Sequence, residues 1–149
     1  MATTKVFAHD VKIVQAITVT AGAAGTTAIN GTAIDMAGYD GVIFVVQFGA
    51  IVAGAVTSIK VQQDTTSAFG AAADLAGTGQ TVADTDDDKV FYVDVKAPRE
   101  DFVRLVVSRG TANATVAAMA YLYGARSRPT THGTNVAGEF WERPAEGAA

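Results

Sequence analysis

Five segments of this 149-residue chain alternate apolar and polar residues with a period of two, and this pattern constrains the fold most. The period is typical of β-strands, because successive side chains point to opposite faces of a sheet. In residues 90–96, for example, Phe91, Val93 and Val95 stand at every second position. Each segment is therefore predicted to be a strand with one apolar face. The five segments are residues 11–19, 57–64, 90–96, 102–108 and 115–123.

A sixth segment, residues 42–48, is apolar at every position except Gln47, as expected of a central strand covered on both faces. Two shorter segments, residues 26–29 and 32–35, flank the dipeptide Asn30-Gly31, which favours a two-residue hairpin turn. No segment has the 3.6-residue period of an amphipathic helix. We therefore predict an all-β fold, either an antiparallel β-sandwich or a jelly-roll-like barrel, with an extended C-terminal arm.

The alternation ends after residue 124, which divides the chain into a β-domain at residues 1–124 and an extended arm at residues 125–149. The arm holds two adjacent aromatic residues, and such large side chains gain much from burial. The arm is therefore expected to dock on its own domain or on a neighbouring copy. The residues expected at that interface are Arg126, Arg128, Phe140 and Trp141.

The composition indicates a surface suited to protein contacts. Charged residues make up only 17% of the chain, and a surface of small uncharged residues packs readily against other protein copies. Residues 65–88 show no period and are predicted to form a long surface loop, a feature that commonly forms interfaces. A net charge of −4 disfavours nucleic acid as a partner. The apolar run at residues 42–46 is far shorter than the roughly 20 residues that a membrane helix needs, so no membrane partner is expected.

The sequence predicts no catalytic, cofactor-binding or metal-binding residues, and we expect no enzyme. His9 and His132 lie near opposite ends of the chain, and neither has the spacing of a metal ligand or the neighbours of a catalytic base. An acidic cluster before residue 90 allows a calcium site, but it lacks the order of a calcium-binding loop. An Asp-rich turn before a strand is the preferred interpretation. The cluster consists of Asp84, Asp86, Asp87 and Asp88.

Tyrosines at outward positions leave a second kind of binding open. Aromatic side chains on strands can form a platform for sugars, although they more often fill cross-strand pairs or protein interfaces. The candidates are Tyr92, Tyr121 and Tyr123 on strands, and Tyr39 in a turn.

Several stretches of the sequence, taken together, resemble a family of small virion proteins of tailed bacteriophages, close to the capsid decoration or cement proteins. The similarity covers the chain from about Val11 to its C-terminus and rests on the overall pattern. The stretches include Gly38-Tyr39-Asp40-Gly41, Ile59-Lys60-Val61-Gln62-Gln63-Asp64, Phe91-Tyr92-Val93-Asp94-Val95, Arg109-Gly110-Thr111-Ala112-Asn113 and Tyr123-Gly124-Ala125-Arg126.

The resemblance implies a structural protein that binds and reinforces the outer surface of a tailed-phage capsid. Its implied partners are the major capsid protein and further copies of itself, as a homotrimer. Its implied location is the outer capsid surface of a virion assembled in the host cytoplasm. Two alternatives stay open: a head–tail connector or tail structural component, and a carbohydrate-binding module for host attachment.

Overall fold

The computed structural model of the protein describes residues 6–147, which form ten strands and one short helix, α1, at Phe7–Asp10. The alternating segments of the sequence are strands, as predicted. The strands are β1 (Lys12–Ile17), β2 (Ile29–Asn30), β3 (Ile34–Asp35), β4 (Gly41–Ile51), β5 (Thr57–Asp64), β6 (Ala73–Asp74), β7 (Gln80–Val82), β8 (Val90–Lys96), β9 (Phe102–Ser108) and β10 (Ala114–Tyr123).

The strands form two antiparallel sheets that pack face to face, which confirms the predicted all-β sandwich. The four-stranded sheet has the order β1-β10-β4-β8. In the six-stranded sheet, β9 and β5 lie at the centre, with β2 and β3 beside β9 and with β6 and β7 beside β5. The inner faces of both sheets supply the buried core, as in other two-layer β-folds.

Large and small side chains alternate across the inner face of the four-stranded sheet. Phe44 on β4 stands opposite Ala120 on β10, and Val46 stands opposite Ala118. All four side chains are buried. The small side chain of Ala120 leaves room for the Phe44 ring, so the buried alanines of β10 are part of a close-packed core.

Thr57 at the start of β5 is 2% exposed, and its Oγ1 has no hydrogen-bond partner among residues 6–147. A buried hydroxyl without a partner loses its hydration without compensation. Replacing Thr57 with the isosteric valine (Thr57→Val) should therefore raise the free energy of unfolding by about 1 kcal/mol. Urea unfolding measures this change. Thr81→Val at an exposed strand position serves as the control, and equal effects of the two variants would contradict the explanation.

The predicted hairpin around Asn30-Gly31 is wrong. β2 and β3 do not pair with each other, because each pairs with β9. Between them the Gly31 N–H donates to the Leu105 carbonyl oxygen at 2.7 Å, and a Cβ at position 31 would lie 2.7 Å from that oxygen. The glycine thus permits a close approach of two backbones rather than a two-residue turn.

The predicted loop at residues 65–88 contains two short strands, β6 and β7, and both pair with β5. These strands contain few apolar residues, so the sequence shows no alternation that would predict them. The acidic cluster that follows β7 forms turns, in agreement with the preferred interpretation. The Asp84 carboxylate accepts the Gly54 N–H at 2.7 Å, and that of Asp87 accepts the Ile51 N–H at 2.7 Å.

The residues after β10 follow the free edge of β1 in the same chain, and the predicted extended C-terminal arm is not confirmed. The Thr130 N–H donates to the His9 carbonyl oxygen at 3.0 Å, and the Gly133 N–H donates to that of Ile13 at 2.8 Å. In return, the Ile13 N–H donates to Nδ1 of His132 at 3.1 Å. These bonds cover a strand edge that would otherwise be open to pairing with another chain.

Candidate interaction face

The outer side of the four-stranded sheet carries an unusual concentration of apolar side chains. The register of the four strands brings them into rows, because Ile13, Tyr121 and Ile43 are cross-strand neighbours, as are Met119 and Val45. We call this surface the apolar face. It consists of Ile13, Gln15, Ile43, Val45, Gln47, Val90, Tyr92, Asp94, Lys96, Ala117, Met119, Tyr121 and Tyr123.

Helix α1 approaches one margin of the apolar face, where the rings of Phe7 and Tyr121 lie 5.9 Å apart between centroids, and the segment after β10 shares a cavity with Ile13 at the same margin. Tyr92 is 65% exposed and Val90 is 58% exposed. The sequence predicted that β4 is covered on both faces, but the structure covers only its inner face. The outer apolar side chains of β4 therefore have no apolar layer above them.

The outer side of the six-stranded sheet is polar by contrast. The Gln62 amide on β5 donates to the Asp74 carboxylate at 2.8 Å and accepts from the Arg104 guanidinium on β9. The Lys60 ammonium group binds the same carboxylate at 2.8 Å. A half-solvated sheet normally carries such polar side chains on its outer face. The two sides of this sandwich thus differ, and the apolar face is the exceptional one.

A loop folded around a buried carboxylate completes the polar side. Asp64 accepts backbone N–H groups from Thr66 at 3.0 Å and Ala71 at 2.8 Å, and these bonds hold its pKa below the ordinary value. The loop places Phe69 with its ring centroid 4.3 Å from the Arg104 guanidinium. The loop therefore stabilises the polar side and contributes nothing to the apolar face.

The one carboxylate of the apolar face is engaged within the chain. The Tyr123 hydroxyl donates to Asp94 at 2.7 Å. Partial burial and this carboxylate raise the pKa of Tyr123 to about 12, so the phenol stays protonated at neutral pH. The Tyr123 ring lies directly on Gly41, where a Cβ would come within 2.4 Å of it. Glycine at position 41 therefore lets the ring lie flat, and the Asp94 charge is partly satisfied by the hydroxyl.

A hollow of about 190 Å³ opens on the apolar face around Ala117. Its rim includes Val19, Val45, Val90 and Met119. The short side chain of Ala117 stands between larger neighbours in the sheet, and this difference in size creates the hollow. The hollow cannot be inferred from the sequence, because residues of four strands, β1, β4, β8 and β10, line it.

The structure brings three of the four candidate tyrosines together. Tyr92, Tyr121 and Tyr123 all belong to the apolar face. Tyr39 lies elsewhere, packed against the core and beside a separate cavity of about 410 Å³. The sequence therefore located part of this face correctly, although it did not indicate that Ile43 and Val45 share it.

The four residues predicted at an interface differ in what they contact. Arg126 lines the cavity near Tyr39, and the Arg128 guanidinium lies 3.3 Å from the Asp10 carboxylate, so both face their own domain. Phe140 packs on the His9 ring with centroids 5.2 Å apart. Trp141 is 69% exposed. Trp141 is thus the more exposed of the two aromatic residues.

His9 and His132 line one cavity of about 290 Å³, although they stand near opposite ends of the chain. The segment after β10 brings them together along the edge of β1, and this could not be inferred from their separation. Over the described range, 6–147, no group of three or more acidic or histidine side chains is placed to hold a metal ion. The same residues contain no helix long and apolar enough to cross a membrane.

Comparisons with known proteins add no family assignment. No protein-family model matches the chain, and no curated protein is similar to it at a significant level.

Proposed function

We propose that this chain is a structural virion protein that binds and reinforces the outer surface of a tailed-phage capsid. Its proposed partners are the major capsid protein and other copies of the chain, at the outer surface of a virion assembled in the host cytoplasm. The resemblance in the sequence supports this assignment. The apolar face is the observation that carries it, because it gives the protein a surface for contact with other proteins.

The chemistry of the face fits a protein interface better than a solvated surface. Interface centres are enriched in tyrosine and methionine and depleted in charge. The apolar face has three tyrosines and Met119, and its charged side chains are limited to β8, where Asp94 accepts a hydrogen bond from Tyr123 and Lys96 ends the strand. An apolar patch of this kind on a soluble protein marks an interaction site. Repeated over a closed shell, modest contacts of each copy add up to a large stabilisation.

Quantitative mass spectrometry of purified virions tests the proposal. We expect a copy number comparable to that of the major capsid protein, and we expect added protein to raise the temperature at which shells lacking it break open. About a dozen copies or fewer, as in a ring on the tail axis, would instead assign the chain to the connector or tail.

A carbohydrate-binding module remains the second candidate, because Tyr92, Tyr121 and Tyr123 share one face. Aromatic platforms of this kind can stack on sugar rings. A glycan array separates the two functions. Specific glycan binding that is lost in Tyr121→Ala, together with reduced adsorption of virions to host cells, would favour this candidate over capsid reinforcement.

A further inference from the structure

The apolar face carries both a projection and a hollow. Tyr92 on the edge strand β8 projects from the face, being 65% exposed. The hollow of about 190 Å³ around Ala117 lies beside it, with Val45 of β4 and Val90 of β8 on its rim. A surface with both features, side by side, can be complementary to itself.

We propose that a second copy of this chain occupies the apolar face, packed face to face about a two-fold axis. The axis lies in the plane between the apolar faces of the two copies and crosses the line from Tyr92 to the hollow at its midpoint and at a right angle. Rotation about this axis places each Tyr92 opposite the other copy's hollow. A two-fold interface is self-complementary in this way, since each contact occurs twice. Two sheets packed face to face are a standard arrangement. The proposal names a partner for the face used in the proposed function and rests on that function.

The charges favour a second copy as the occupant. The protein has a net charge of −4, so two copies repel each other unless the surfaces that meet are neutral. Within the apolar face the charged side chains are Asp94, which accepts a hydrogen bond from the Tyr123 hydroxyl, and Lys96 at the end of β8, so their opposite charges offset each other. The negative charge of the chain therefore lies mainly on other surfaces.

The size of the face is sufficient for a dimer. Four strands about 4.8 Å apart and about 23 Å long give two facing surfaces of roughly 900 Å² together. The exposed Phe7 ring beside Tyr121 adds further area, since an aromatic side chain buries ~150–250 Å² when fully covered. The pair thus reaches the roughly 1,000 Å² that specific interfaces need. This two-fold pair differs from the homotrimer that the resemblance implies, and the two assemblies have different masses.

Sedimentation equilibrium of the full chain gives the first test. We expect a dimer, and we expect Tyr92→Asp to raise its dissociation constant at least tenfold, because the charge would be buried in the partner's hollow. The control is Thr81→Asp, which adds the same charge at an exposed position of an edge strand on the polar side. We expect it to leave the dissociation constant nearly unchanged.

The variant Ala117→Leu distinguishes specific packing from non-specific hydrophobic association. The larger side chain fills the hollow and makes the face more apolar. If Tyr92 of a partner occupies the hollow, the variant dissociates more readily than the parent protein. Non-specific hydrophobic association would instead become tighter, and that result would overturn the proposal.

A cysteine experiment covers the case in which a charged variant fails to fold. The chain contains no cysteine, so Tyr92→Cys and Ala117→Cys each add a unique thiol. Under oxidation a mixture of the two variants should form a disulfide-linked dimer, and each variant alone should form little. A wild-type monomer at all concentrations, a trimer, or no mixed disulfide would overturn the proposal. Shell binding measured on the same samples is a separate readout, so a monomer that still binds shells would overturn the dimer and leave the proposed function intact.

Discussion

Replacing Gly22 with alanine is expected to lower the free energy of unfolding by about 3 kcal/mol or more. Gly22 is buried in the connection between β1 and β2, where its N–H donates to the Thr18 carbonyl oxygen and its carbonyl oxygen accepts the Val116 N–H at 2.8 Å. A Cβ at position 22 would lie 1.5 Å from the Val116 carbonyl oxygen, which belongs to the backbone of β10. The backbone of β10 cannot move aside as a flexible side chain can, so the alanine would force the connection between β1 and β2 away from β10.

Gly79→Ala is the matched control for this effect. Gly79 has open space where a Cβ would stand, and its φ is not positive. The same substitution there should be neutral or stabilising by up to about 1 kcal/mol, because alanine restricts the unfolded chain. Urea unfolding of both variants measures the difference. Equal stabilities of Gly22→Ala and Gly79→Ala would show that the close approach to β10 does not constrain the fold.

Replacing Phe48 with alanine is expected to cost about 3–5 kcal/mol of the free energy of unfolding. The Phe48 ring is fully buried and meets Phe91 edge to face, with 5.6 Å between ring centroids. Its removal leaves a cavity between the two sheets and also breaks the aromatic pair. The midpoint of urea unfolding should fall while the slope stays the same, since the same surface is exposed on unfolding.

Phe140→Ala provides the matched control, because Phe140 is 47% exposed and packs mainly on His9. We expect it to change the free energy of unfolding by less than about 1 kcal/mol. A Phe48→Ala protein as stable as the Phe140→Ala protein would mean that the core is not the close-packed layer between the sheets.

The main strands could be predicted from the sequence because each buries one face, and a period of two follows directly from that burial. The pairing of β2 and β3 could not. Asn30-Gly31 satisfies the rules for a hairpin turn, but Gly31 instead approaches Leu105 across the sheet. The preference of Asn30-Gly31 for a hairpin turn is local, whereas the pairing with β9 depends on residues far along the chain. The pairing with β9 forms in place of the hairpin.

Only part of the apolar face could be predicted from the sequence. The run at residues 42–48 indicated that both sides of β4 need cover, and the alternation of β8 and β10 placed Tyr92 and Tyr121 outward. The hollow around Ala117 depends on the register that sets β1, β10, β4 and β8 side by side. A sequence without its pairings does not contain this geometry. The missing layer over β4 is the central feature of the molecule, and we propose that another protein surface supplies it.

Thiol labelling of assembled virions tests that claim most directly. Val90→Cys places a thiol on the apolar face, and Thr81→Cys places one on the polar side, both at exposed positions of edge strands in a cysteine-free chain. A maleimide reagent should label the two variants at similar rates under conditions that keep the free protein monomeric. In assembled virions position 90 should be protected while position 81 still reacts. Equal labelling of the two positions in the virion would show that the apolar face remains open to solvent, and would contradict the account.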